Sequence, residues 1–376
     1  MPNTNQQISV VHINTASTWR GGEQQVLYLA QFLQSQTNVR QIVAGRKTSA
    51  MQDRCEKAGI RFVGFGMRSE VDLLTVWQLI RLIKKEKINI LHAHTAKAHS
   101  LGILAMKFGS LSKLGVKFIV SRRVDFNVAK SYFSRIKYHS PLIHRYIAIS
   151  ENVRRIMVQN GIDNSRISIA YSGIDTLKFE SLPDSNQLRQ EFNLHPNTVI
   201  LGNIAALVDH KDQRTLLKAA AILKNQWQKN PPQGQTDWKL FIVGEGELRS
   251  ELLSLHHSLQ LEDWVIFTGF RTDISTFLSL FDIFVMSSKE EGLGTSVIDA
   301  MAAGLPVVTT DGGGLTELIV DQKGGLVSKA GNSELLALNL KSAILSPHQW
   351  KTWSSFNRKQ SLNFDYHQTG QRNLEI

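Results

Sequence analysis

One cysteine, Cys55, stands in 376 residues, which leaves no internal disulfide framework and no multi-cysteine zinc or iron–sulfur site. No basic-then-apolar leader opens the sequence, and no run of about 18 uncharged apolar residues could cross a bilayer. A reducing, cytoplasmic setting is the expectation. No D-x-D occurs, so no obvious carboxylate pair exists to bridge a metal and a diphosphate. A P-loop is missing too, and Val243-Gly244-Glu245-Gly246-Glu247-Leu248-Arg249 has arginine where a dinucleotide fingerprint needs its third glycine. Neither a metal nor a cofactor is expected.

What is present is the composition of a globular protein, 42% hydrophobic and 20% charged. At roughly 100–200 residues per domain the length suggests two domains. Charge is divided unevenly. Residues 1–175 hold 25 basic and 10 acidic side chains, and the remainder holds 18 and 22. Such asymmetry suits an anionic partner, either nucleic acid or an anionic membrane leaflet. Between Lys97 and Arg145 ten basic residues, Lys130 among them, face one acid, Asp125, with Phe108, Phe126, Tyr132 and Phe133 among the interspersed apolar and aromatic residues. A basic amphipathic helix there would lie in a membrane interface. The nucleic-acid reading has no recognisable module behind it.

Both halves alternate short apolar, β-rich runs with helical patterns. In the first half, Ile8–Asn14 reads as a strand, followed by a loop through Trp19, Arg20, Gly21 and Gly22. A helix from Glu23 follows, with Val26, Leu29, Ala30 and Leu33 on one face. Strands fit Arg40–Ala44, Ile60–Phe65, Ile88–Ala93, Lys117–Val120 and Tyr146–Ile149. In the second half strands fit Val199–Ile204, Lys239–Val243, Val265–Thr268, Ile283–Met286 and Pro306–Thr310. Helices are expected over Asp212–Leu223, from Glu247, near Ile274–Leu280 and from Ser296, and loops over Gln228–Thr236 and the linker Ser181–Asn197. Strands separated by helices imply parallel pairing, hence two tandem Rossmann-like, doubly wound α/β domains whose facing sheets leave an interdomain cleft.

The most informative stretch is Ser287 to Pro306: strand end, acidic turn at Glu290 and Glu291, a loop with Gly292 and Gly294, a helix, a glycine stop at Gly304, and a strand. Thr295 and Ser296 stand where an N-cap would be, and a helix start is an anion site suited to pyrophosphate. Glu291 and Asp299, eight residues apart, bracket it as acceptors for sugar hydroxyls. Alternatively Ser296-x-x-Asp299 is a capping box.

This stretch resembles the Glu-x7-Glu signature of family 4 glycosyltransferases, retaining enzymes of the GT-B fold. The likeness continues through Thr310-Asp311-Gly312-Gly313-Gly314, His92-Ala93-His94, the Ile-Ala-Ile-Ser-Glu run at 147–151, Ser172-Gly173-Ile174-Asp175 and Val243-Gly244-Glu245-Gly246, and so covers nearly the whole chain. It implies that Glu291 bonds the transferred sugar. Backbone groups of Gly294, Thr295, Ser296 and Val297 would hold sugar hydroxyls or pyrophosphate. Asp299 would take the ribose, where the family usually has glutamate. Lys211 keeps the family's lysine for the diphosphate, but Ala206 stands where its arginine would be. Gly21 and Gly22 would let backbone approach the phosphates, His94 would line the acceptor side and permit proton traffic, and Phe270 and Arg271 would sit by the base.

The function implied is a retaining, metal-independent hexosyltransferase. It would move a sugar from a UDP- or GDP-linked donor to a saccharide or lipid-linked acceptor in surface polysaccharide or lipopolysaccharide synthesis, peripheral on the inner face of the cytoplasmic membrane. Residues 1–175 would form the acceptor and membrane side and 176–349 the nucleotide-sugar domain, with a terminal helix over about 350–376 returning to the first. The alternative is a nucleotide-sugar-binding protein weakened as a catalyst by Ala206 and Asp299.

Overall fold

The computed structural model describes residues 7–125, 132–231 and 237–376. The chain divides into two compact units. The first runs to Ile174 and takes in Tyr366–Ile376, and the second spans Asp175–Asp365. In the first unit the strands are β1 (Ile8–Asn14), β2 (Val39–Arg46), β3 (Phe62–Phe65), β4 (Ile90–Ala93), β5 (Lys117–Arg122), β6 (Arg145–Ala148) and β7 (Ile167–Ile169). Between them come α1 (Gly21–Gln34), α2 (Ala50–Lys57), α3 (Leu73–Lys85), α4 (Ala96–Phe108), α5 (Tyr132–Tyr138) and α6 (Glu151–Gln159). The sheet order is β3-β2-β1-β4-β5-β6-β7, all parallel.

The second unit has β8 (Val199–Ile204), β9 (Trp238–Val243), β10 (Val265–Gly269), β11 (Ile283–Met286), β12 (Val307–Thr310) and β13 (Gly325–Ser328), in the order β10-β9-β8-β11-β12-β13. Its helices are α7 (Asn186–Glu191), α8 (Gln213–Lys229), α9 (Arg249–Ser258), α10 (Ile274–Leu280), α11 (Thr295–Ala302), α12 (Ser333–Ile344) and α13 (Pro347–Ser361). Every strand is parallel to its neighbours. Each sheet is therefore doubly wound, as the alternation of apolar runs and helical patterns predicts. The central strands are buried on both faces: Ile283, Phe284, Val285 and Met286 are all fully shielded.

Several local expectations are corrected. Helix α1 begins at Gly21, because the Glu23 carboxylate accepts the Arg20 N–H at 3.0 Å and so closes the first turn early. The glycine pair is thus the start of a helix and not a loop. The segment 181–197 is no linker. It carries α7, with Leu188 buried and Phe192 edge-on to Phe241 at 5.0 Å, and belongs to the second unit. Helix α8 continues to Lys229 because Trp227 is buried in the core; residues 232–236 of the expected loop lie outside the described residues.

The terminal helix divides in two. Helix α13 stays with the second unit, where the Asn357 amide donates to Leu305 O and Gly324 O at 2.8 and 2.7 Å. Only α14 (Tyr366–Glu375) joins the first unit. There Tyr366 stacks on Tyr28 at 4.8 Å and its N–H bonds Ile174 O. Gly370 lets α14 lie flat on α1, since a Cβ would meet Phe32 Cγ at 2.2 Å. Replacing Gly370 by valine should therefore lift α14 off α1 at a cost of about 1–3 kcal/mol. An unchanged urea midpoint, with α14 amides still protected from exchange, would contradict this packing.

Candidate active site

In a doubly wound sheet ligands gather at the carboxyl ends of strands where the order reverses, which in the second unit is between β8 and β11. The chain leaving β8 passes through Ala206 to Lys211. The chain leaving β11 passes through Ser287 and Ser288 to Glu291. The two loops are tied together: Lys289 N–H donates to His210 O at 2.9 Å and Ser287 Oγ to Lys211 O at 3.0 Å, while Thr310 at the end of β12 donates through Oγ1 to Ser288 O at 2.6 Å. Lys211 Nζ forms an ion pair with Glu291 Oε2, and Ser288 Oγ donates to the same oxygen at 3.2 Å. Their side chains are only 15% and 13% exposed, so each depends on the other for charge balance.

Immediately after Glu291 the chain turns through Gly294 into α11. Gly294 has φ +97°, and a Cβ on it would lie 2.8 Å from Leu315 Cδ2, so glycine is required twice over. It is Gly294 that caps α11, correcting the expectation of Thr295 or Ser296. No side chain caps the helix, and its first-turn N–H groups at Thr295 and Ser296 remain available to a ligand. Gly312 brings the loop after β12 against this one, where a Cβ would fall 2.0 Å from Ser288 O.

Asp299 is half-buried one turn into α11, and with Gly294 as the cap it takes no part in a capping box. Burial pushes its carboxyl up to about 7, against the opposing pull of Lys178. Phe270 and Arg271 follow β10, the edge strand, with β9 between them and β8. Phe270 is 74% exposed. Arg271 is held by Glu191 at 2.9 Å and Asp273 at 2.8 Å. The structure thus gathers Lys211, Glu291, Gly294, Thr295, Ser296, Val297 and Asp299 around one helix start, and Phe270 and Arg271 stand apart from them.

The remaining expected residues belong to the first unit, where the order reverses between β1 and β4. His12 and His92 are register partners there, and His94 follows at the end of β4. His12 Nδ1 lies 3.1 Å from His94 Nε2, and His92 Nε2 lies 2.7 Å from Ser121 Oγ. All three rings are buried. Burial holds His94 well below the usual histidine range, with His92, His12 and Arg123 adding to the effect, and His12 falls to about 3. The expectation of a His94 titrating near neutrality is therefore corrected: the imidazole stays neutral. A ring nitrogen from each of His12, His92 and His94 lies within 4.8 Å of the other two, a spacing a metal ion could use, although sequence reasoning expected no metal. Sequence reasoning missed His12, whose signal was a polar residue inside an apolar strand, and Arg123, which was counted with the surface bases.

The described residues also revise the basic segment. It is not one amphipathic helix but α4, β5 and α5 in succession. Arg122 is buried and donates to the Tyr138 hydroxyl at 2.6 Å. Lys107, Phe108, Lys113, Leu114, Arg135 and Ile136 are exposed. Beside them a groove of about 980 Å³ is lined by Val71, Ile103, Leu104, Lys107, Ile136 and Leu142 among others. Phe126, Lys130 and the side chains of Tyr132 and Phe133 lie outside the described residues. Among the described residues no helix is long and apolar enough to cross a membrane.

Comparison with known proteins gives two family matches: "Glycosyltransferase Family 4" over residues 19–178 and "Glycosyl transferases group 1" over residues 184–360. A putative glycosyltransferase of Bacillus subtilis, EpsD, is 28% identical over 80% of this chain and 78% of its own length. The N-acetylgalactosamine-N,N'-diacetylbacillosaminyl-diphospho-undecaprenol 4-alpha-N-acetylgalactosaminyltransferase of Campylobacter jejuni is 26% identical over 92% of each chain. Among solved structures, Anabaena HepE in complex with UDP and glucose superposes with a TM-score of 0.81 over 98% of each chain, at 22% identity, and so shares the GT-B fold.

The raised Asp299 carboxyl carries a pH signature. Below pH about 4 it is protonated in both folded and unfolded chains. Between 4 and 7 only the unfolded chain releases the proton, so stability falls as pH rises, and above 7 the penalty is constant. Asp299→Asn should leave stability at pH 4 unchanged and raise it at pH 8 by roughly 2 kcal/mol, a value discounted for partial solvent access. Denaturant titrations at the two pH values measure it; a gain at pH 4 equal to that at pH 8 would rule out the linkage.

Proposed function

The chain belongs to glycosyltransferase family 4, and from that premise we propose that it moves a sugar from a UDP- or GDP-linked donor to a hydroxyl of a lipid-linked saccharide, with retention at the anomeric carbon, in surface-polysaccharide or lipopolysaccharide synthesis. One observation carries the reading: a shielded Lys211–Glu291 pair beside an uncapped helix start at the β8/β11 reversal. In the free protein Lys211 neutralises Glu291. A bound donor gives Lys211 a diphosphate oxygen instead and gives Glu291 a sugar hydroxyl, so both charges keep a partner. The first-turn N–H groups of α11 add positive potential as the leaving diphosphate gains charge. Asp299, close to half protonated at neutral pH, can donate as well as accept towards the ribose. Phe270 and Arg271 are assigned to the base side, Gly21, Gly22 and His94 to the first unit's approach to donor and acceptor. Without a D-x-D in the sequence, charge neutralisation is assigned to Lys211 and α11 and not to a bridging metal.

A lipid-linked acceptor is supported by the named substrate of the Campylobacter relative and by the apolar groove with its basic rim. That face, with Lys107, Lys113 and Arg135 exposed, is proposed to sit on an anionic leaflet at the inner surface of the cytoplasmic membrane. A second reading, a binding protein without turnover, draws on Ala206 and Asp299, where the family offers arginine and glutamate.

Two measurements test these readings. Glu291→Ala should lower transfer from UDP- or GDP-sugars by about 10²–10³-fold while the variant stays folded. Wild-type protein that binds the nucleotide yet never turns over would favour the binding protein, and unchanged transfer by Glu291→Ala would remove its assigned role. The anomeric configuration of the product, read by NMR, decides retention. Changing Lys107, Lys113 and Arg135 together to glutamine should weaken binding to phosphatidylglycerol vesicles on the order of 100-fold, at about 1 kcal/mol per base. Equal sedimentation with neutral and anionic vesicles would contradict the membrane face.

A further inference from the structure

Arg123 follows β5 in the first unit, partly buried beside the His12, His92 and His94 cluster. Its surroundings do not balance its charge. All Asp and Glu residues of the chain lie within the described residues, and among these Arg123 has no ion pair, Glu23 being the acid that acts on it from a distance. Among the described residues its one side-chain hydrogen bond is NH1 to Ser172 Oγ at 3.4 Å, and its Nε is shut off from solvent without an acceptor. The nearest influence of opposite sign is Glu23, whose oxygens are already taken by Arg20 N–H and the Asn14 amide. Burial of this cation lowers it to about 10. A guanidinium partly withdrawn from water without a carboxylate is costly unless something anionic completes it.

A second, independent observation points the same way. His12 and His94 are 1% and 5% exposed, and His12 Nε2 and His94 Nδ1 are buried without partners. One bond, at 3.1 Å, joins His12 Nδ1 and His94 Nε2. Whichever ring donates in that bond, the other must carry its proton on the outer nitrogen. One unpaired N–H donor therefore always remains in this pair, within electrostatic reach of Arg123. Gly22, in the first turn of α1, packs on this arginine, where a Cβ would stand 3.9 Å from its Cδ.

We propose that Arg123, with the outer N–H of the His12–His94 pair, binds a phosphate-type oxyanion at the β1/β4 reversal of the first unit. The anion's source rests on the glycosyltransferase reading: either a nucleotide's diphosphate or a phosphate on the acceptor. Arg123 has the fork geometry that such an anion needs.

Titration of the full-length chain with UDP and with inorganic pyrophosphate tests this. Arg123→Gln should weaken at least one of them ten-fold or more, and Arg123→Lys, which keeps charge but loses the fork, should fall between. If UDP itself weakens and competes with pyrophosphate, the anion is the donor's diphosphate. If Arg123-dependent pyrophosphate binding persists at saturating UDP, it is a separate, acceptor-side phosphate. Both ligands binding the folded Arg123→Gln variant within two-fold of wild type would overturn the proposal, and if that variant does not fold, the same result for Arg123→Lys would do so. Failure of the wild type to bind UDP or to transfer sugar would instead count against the enzymatic reading, whatever Arg123 does.

Discussion

A lysine and a glutamate facing each other across the reversal of a parallel sheet set the terms for the second unit. Lys211 and Glu291 reach that point on the loops after β8 and β11, and both are too shielded to go without a counter-charge. Any ligand that separates them must offer an oxyanion to one and a hydrogen-bond donor to the other. A nucleotide sugar has both groups close together. The neighbouring structure serves to hold the pair: Ser287 and Thr310 fix the loop backbones, the Ser288 hydroxyl donates to the Glu291 carboxylate, and Gly294 turns the chain so that α11 opens beside Glu291.

The first unit repeats the architecture with different chemistry. At its reversal point stand three neutral imidazoles and one incompletely balanced guanidinium, with no ion pair among the described residues. Burial strips the histidines of charge, so they act as fixed hydrogen-bonding dipoles and not as proton carriers. The positive charge in that pocket is carried by Arg123, whose pKa remains far above neutrality.

The excess of basic residues in the first half therefore has more than one meaning. Arg122 and Arg123 were drawn inward by β5. Lys107, Lys113 and Arg135 stayed outside among Phe108, Leu114 and Ile136. Adjacent positions in sequence thus fall into an internal polar cluster and an external basic, apolar face, and net charge alone cannot separate the two.

Alternating apolar runs and helical stripes made the two parallel sheets legible in the sequence, because a strand buried on both faces must be apolar throughout and a crossover helix must show one apolar stripe. Strands such as Ile283–Met286 were readable to the residue for that reason. The short edge strands β7 and β13 were not, since three or four residues at a sheet margin carry too little pattern. The stretch from Glu291 to Asp299 was also legible, because a strand, a glycine turn and a helix start lie contiguously in the chain. Tertiary structure alone decided the Lys211–Glu291 pairing across 80 positions, the division of the terminal helices between units, and the meeting of His12 with His94 and Arg123. Those depend on which strands become neighbours and how deeply each side chain is withdrawn from water, and one-dimensional periodicity contains neither quantity.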